Sequence, residues 1–169
     1  MEKESKSANE KPGRLNLKTK FTIRKFANEE AYKKNQPYEV SVDEGNIGLN
    51  EGIRELWDLA CGLGSPTPYD STNAQTGVGD GTEAEDPSQT DLTGTNKTYK
   101  GMDSGYPQRS NQTVAFRSTY GSGEANYSWN EFIVRNGATA AKDLIRKRSN
   151  QGTKASGQTW ELTIEITMS

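Results

Sequence analysis

Residues 158–168 read QTWELTIEITM, with Trp160, Leu162, Ile164, Ile166 and Met168 on one side and Glu161, Thr163, Glu165 and Thr167 on the other. That two-residue period is the pattern of a strand with one face in a core and the other in water. Upstream, Val114, Phe116 and Tyr120 alternate with Thr113, Arg117 and Thr119, and Gly121-Ser122-Gly123 supplies a turn. Tyr127, Trp129 and Ile133 read as the returning strand. Leu15, Leu17, Phe21 and Ile23 alternate with Lys18, Lys20 and Arg24, and Tyr38, Val40 and Val42 with Glu39, Ser41 and Asp43. The connection from Ala27 to Gln36 is polar, and weaker strand signals lie at Ala74 to Gly79 and Lys97 to Met102. Ile53, Leu56, Trp57 and Ala60 stand at i, i+3, i+4 and i+7, the stripe of an amphipathic helix that Asn50 can cap and Gly62 can end. About seven strands and one helix result, so the expected fold is mainly β: an antiparallel β-sandwich, Ig-like or jelly-roll-like, with one short α-helix and long polar loops. The helix is expected to cover one end or open edge of the sheets, and Trp57, Phe116, Trp129, Trp160, Leu162 and Ile164 are the expected core.

Composition bounds the chemistry. Of 169 residues only 30% are hydrophobic, a low share for a globular chain, so one domain with a thin core is expected. Residues 15–169 read as that domain, and residues 1–14 as an extended polar arm closed by Pro12-Gly13. His is absent, which removes imidazole acid–base catalysis, triads and His metal ligands. The single cysteine, Cys61, reads as a small apolar residue packed under the sheet, and without a second one no internal disulfide forms. With 21 Lys and Arg against 23 Asp and Glu the formal net charge is -2, which argues against a dedicated duplex nucleic-acid binder. There is no long apolar run, and MEKESKSANEKPGR lacks the apolar segment of a secretion signal. No membrane partner and a reducing compartment during folding are therefore expected.

TGVGDGTEAED lacks the Gly-Lys-Ser/Thr ending of a phosphate loop. Asp80, Glu83, Glu85 and Asp86 do not follow the spacing of a calcium loop and read as a solvated acidic loop. Glu131 breaks the alternation around Trp129. Either a bulge turns it outward, or it is buried with a partner such as Arg117, Arg135 or a backbone donor, and a structural role is favoured over a catalytic acid. Arg146, Lys147 and Arg148, with Lys142 and Lys154, form the densest positive run, read first as a solvated face and second as a surface for an acidic neighbour or encapsidated nucleic acid. Tyr69, Tyr99, Tyr106 and Tyr120 are the residues a glycan-binding module would use for stacking. No catalytic, cofactor-binding or metal-ligating set is expected.

The series EGNIGLNEGIRELWDLACG, TPYDSTNAQTGVGDG, QTDLTGTNKTYKGMDSGYPQ, TVAFRSTYGSGEANYSWNEFIVRNG and QGTKASGQTWELTIEITMS, in this order, resembles a family of small virion structural proteins of tailed bacteriophages. The likeness runs from Pro37 to Ser169, and its specificity lies in the order of motifs over about 130 residues, not in any one of them. The resemblance implies a virion component without enzymatic activity or cofactor. The expected role is a capsid decoration or cement protein, made in the host cytoplasm and bound to the outer capsid surface, with the major capsid protein and further copies of itself as partners. A tail, neck or fibre component, either a tail tube subunit or a receptor- or glycan-binding module, is the alternative. The arm, through Lys3, Glu4, Lys6, Glu10, Lys11 and Arg14, is expected to lie over a neighbouring subunit.

Overall fold

The computed structural model describes residues 15–169. The arm residues Lys3, Glu4, Lys6, Glu10, Lys11 and Arg14 lie outside the described residues.

The order of elements is β1 (Leu17–Phe26), α1 (Glu29–Lys33), β2 (Glu39–Glu44), β3 (Ile47–Gly48), α2 (Asn50–Cys61), β4 (Gln75–Gly79), β5 (Lys97–Gly101), β6 (Gln108–Ser110), β7 (Thr113–Tyr120), β8 (Glu131–Arg135), β9 (Asp143–Arg148) and β10 (Thr159–Met168). They build two antiparallel five-stranded sheets, ordered β2-β1-β10-β7-β6 and β3-β9-β8-β4-β5. The sandwich is thus as read from the sequence, with more strands than expected and a second helix. That helix, α1, is too short for an apolar stripe to announce it; Asn28 caps it through Oδ1 to the Ala31 amide at 2.8 Å.

The QTWELTIEITM strand is central, as its pattern required. β10 pairs with β1 from Leu17↔Met168 to Phe26↔Thr159 and with β7 from Trp160↔Tyr120 to Thr167↔Thr113. Its apolar side meets Phe21 and Ile23 of β1, Phe116 and Tyr120 of β7, and Phe132 and Val134 of β8 in one core. Trp129 sits at the centre, with the Tyr120 and Trp160 rings each 4.9 Å away in edge-on geometry. Phe116, Trp129, Trp160, Leu162 and Ile164 are all buried, as expected.

Trp57 is the exception: 62% of it is exposed. Cys61, expected under the sheet, is also exposed. On β2 the expected face is reversed. Val40 and Val42 stand opposite Arg24 and Thr22 on the outer side of the sheet, while Ser41 and Asp43 lie opposite the core residues Ile23 and Phe21. An edge strand has a core neighbour on one side only, so its alternation does not say which face is covered.

The second sheet departs from simple alternation because its outer face is covered too. Glu131, Phe132, Ile133 and Val134 are buried without interruption. Phe132 and Val134 point into the sandwich, whereas Ile133 packs on the other side with Leu49 and Leu92. The segment from Asp80 to Gly94 closes over that side. The chain changes parity between Trp129 and the start of β8, so Glu131 shares the outer side with Ile133 and not the core with Trp129.

Candidate functional site

Helix α2 carries the feature with the clearest outward reach. It ends as expected, with Gly62 left-handed at φ 65° and its amide donating to the Asp58 carbonyl. Its start differs, because Leu49 holds the cap position without a side-chain bond and Asn50 is the first helical residue. The Asn50 amide instead donates to the Pro87 carbonyl, and the Glu51 carboxylate accepts from the Asp143 amide at 2.8 Å.

The helix meets β9 through Gly52, where a Cβ would lie 2.4 Å from both the Asp143 carbonyl oxygen and the Leu144 Cα. Only glycine permits that approach. One turn on, Glu55 is buried and accepts from the Thr67 amide at 2.8 Å and the Asn136 side-chain amide at 2.9 Å, which ties the following loop to the helix. The side turned to the sheet therefore carries the buried Gly52 and Glu55, with Leu56 and Leu59 half-buried beside them, and is rotated by one residue from the apolar stripe. Ile53, Trp57 and Ala60 turn outward and form, with Leu15, Leu17 and Leu56, a groove of 380 Å³ that Leu144 and Met168 complete. Leu56, Leu144 and Met168 also border a neighbouring apolar hollow over Phe116 and Ile166. The sequence signal for this surface is that α2 holds more apolar side chains than one buried stripe of a polar-anchored helix uses. The contribution of Leu15 and Met168 comes from strand pairing far along the chain and has no local signature.

Glu131 is placed where it cannot act as an acid or base toward a ligand. Its Oε1 accepts from the amides of Gly81, Thr93 and Gly94 at 3.1, 3.0 and 2.7 Å. Its Oε2 accepts from Arg146 Nη2 at 2.6 Å and Nε at 3.2 Å and from the Thr93 hydroxyl at 3.1 Å. Burial alone would raise this carboxyl, but the Thr93 and Gly94 amides and the Arg146 guanidinium outweigh it and hold it below the usual range. The expected backbone donors are present, and the charged partner is Arg146, not Arg117 or Arg135. Arg117 pairs with Asp103 and Arg135 with Asp143. Arg146 spends its remaining donors on the Glu83 carbonyl, Gln89 Oε1 and the Thr93 hydroxyl. This buried pair fastens the Asp80–Gly94 segment to the sheet.

The basic run is accordingly not one patch. Arg146 and Lys154 are fully buried, Lys147 reaches Asp43 and the Glu44 carbonyl, and Arg148 reaches the Thr82 carbonyl. Lys154 donates to the Gly121 carbonyl and Asn126 Oδ1, both at 2.7 Å, and burial lowers its ammonium to about 8. The acidic residues do not converge either. Asp80 binds Asn96, Glu85 accepts from the Arg148 amide, and Asp86 closes a turn with Ser88. Among the described residues no group of three or more His, Cys, Asp or Glu is placed to hold a metal ion.

The tyrosines proposed for stacking are engaged internally. Tyr120 is buried and bonded to Thr76, Tyr69 donates to the Lys142 carbonyl, Arg117 stacks on Tyr106 at 4.3 Å and Arg135 on Tyr99 at 4.0 Å. Beside Tyr99, Asp143 is fully buried, with Oδ1 on Arg135 Nε at 3.0 Å and Oδ2 without a hydrogen-bond partner. Burial pushes its carboxyl up to about 7 against the pull of Arg135, and the negative charges of Glu51 and Asp91 add to the rise. Among the described residues the exposed large apolar side chains gather at α2 and at β2, while the polar clusters above hold loops in place. No protein-family model, curated protein or solved structure matches this chain.

Proposed function

We propose that this protein is a non-enzymatic structural component of a tailed-phage virion, a capsid decoration or cement protein that docks on the outer capsid surface and on copies of itself. The order of motifs from Pro37 to Ser169 supports the virion setting, and one observation carries the docking role: Ile53, Trp57 and Ala60 of the α2 stripe face outward. A Trp with 62% of its surface in water, beside an Ile and a Leu that are also exposed, is the composition of a protein interface. The engaged state of Tyr69, Tyr99, Tyr106 and Tyr120 disfavours the glycan-binding alternative.

The test is copy number per particle relative to the major capsid protein, by quantitative gel or cryo-EM, for wild type and Trp57→Lys. Hundreds of copies on heads, depleted by the substitution, are expected. Copies confined to tails would assign a tube subunit instead, and a handful per virion would overturn the cement role.

A further inference from the structure

Every large apolar side chain that the described residues leave exposed falls in one of two places. Leu15, Ile53, Trp57 and Leu63 lie on or beside α2, and Tyr38, Val40 and Val42 lie on the approach to β2 and along its outer face. The first is concave, the groove between α2 and the start of β1. The second is a ridge on an edge strand.

The two do not meet within one molecule. Val40 is opposite Arg24, seven positions along β1 from Leu17, which is about 23 Å of extended chain, and the two patches lie on opposite faces of the sheet. Their dimensions agree. Val40, Val42 and Glu44 share one side of β2 and span about 13 Å of strand, and Ile53 to Ala60 spans about 10 Å of helix. Their charges agree as well: Glu44 follows Val40 and Val42 on the ridge, Arg54 stands on the exposed surface of α2, and neither has an ion-pair partner among the described residues.

We propose that the α2 groove of one copy receives the Val40-Val42 ridge of β2 from a second copy, with Arg54 facing Glu44. This rests on the reading of the chain as a self-associating structural protein and names the faces that associate. Because the two faces differ, the contact is head-to-tail. It leaves one free groove and one free ridge on every pair, and the assembly grows until a ring closes or a filament extends.

Mixing single-face variants of the full chain tests this. Trp57→Lys spoils the groove and keeps the ridge; Val42→Lys spoils the ridge and keeps the groove. Both positions are exposed, and circular dichroism checks that the sandwich is retained. By native mass spectrometry and light scattering up to about 100 μM, wild type is expected as an oligomer and each variant as a monomer. A one-to-one mixture is expected as a heterodimer and nothing larger. Wild type remaining monomeric, either variant remaining oligomeric, or a mixture that stays monomeric would overturn the proposal. A Val42→Lys that still dimerises while Trp57→Lys does not would show groove packing on groove. The virion reading fails separately, through copy number on particles: hundreds of copies of a protein that is monomeric in solution would refute the ridge-and-groove contact alone.

Discussion

Replacing Glu131 by Gln leaves its shape and removes its charge from a pair in which both side chains are completely buried. The amide cannot satisfy the site in either orientation. With its NH₂ toward Arg146 it places donors against the guanidinium that now approaches Oε2 at 2.6 Å. Turned the other way, it faces the amides of Gly81 and Gly94, now 3.1 and 2.7 Å from Oε1. In both cases Arg146 keeps its charge in the interior without a carboxylate. Breaking a buried pair from one side costs about 3–5 kcal/mol. For a domain of this size that corresponds to a fall in melting temperature of about 6–20 °C. Urea unfolding followed by tryptophan fluorescence reads the loss directly, because Trp129 and Trp160 are in the core. Glu165→Gln is the control. It removes a half-exposed ion pair with Lys20 at 3.3 Å and is expected to cost under about 1 kcal/mol. A Glu131→Gln loss no larger than the control would refute the argument that this pair fastens the Asp80–Gly94 segment. Adding Arg146→Met should then destabilise by less than the sum of the two single changes, since the stranded charge is gone.

Gly52→Ala forces a methyl into the backbone of Asp143 and Leu144 at 2.4 Å; a net loss of about 1–3 kcal/mol is expected in the same assay despite the better helix propensity of alanine. The Asp143 carboxyl, raised from 3.8 to about 7, holds a proton in the folded state that the unfolded chain has released, so its contribution is complete below about pH 4 and is lost as the pH rises through about 7. The stability of wild type relative to Asp143→Asn should therefore fall over that window, and a difference that is flat with pH would refute the assignment. Trp57 should account for nearly all acrylamide quenching of the dilute protein, and self-association through the α2 groove should suppress that quenching as concentration rises.

The legible parts of the sequence are those where one face meets a core and the other meets water. β7 and most of β10 satisfy that condition, and the side each turns to the core follows from alternation; Thr159 and Glu161 of β10 are buried on the other side as well. β8 and β9 do not, because the Asp80–Gly94 segment covers the outer side of their sheet; Ile133 and Arg146 are buried there by residues distant in sequence. Arg146 is the clearest case. It sits in a run of three basic residues that reads as a wetted face, and only folding brings Glu131, Glu83, Gln89 and Thr93 around it. For α2 the helix, its length and its glycine stop were legible, but its rotation was not. Gly52 and Glu55 decide which side is buried, through a backbone contact and two hydrogen bonds that helical periodicity does not encode.

The pairing of β1 with β10 has a consequence for how the molecule is made. Leu17 lies beside Met168, so the central ladder of one sheet joins strands roughly 150 residues apart, a non-local arrangement that is slow to form. During synthesis β1 and β2 leave the ribosome long before their central partner exists. Phe21, Ile23 and Phe26 wait with one strand edge open until β10 emerges, the situation in which chains pair wrongly with one another. The side chains that β1 alternates with Phe21 and Ile23, namely Lys18, Lys20, Thr22 and Arg24, keep the nascent strand soluble through that interval. A ribosome-stalled chain released just before Thr159 should stay protease-sensitive throughout, and one that includes Met168 should become resistant in a single step.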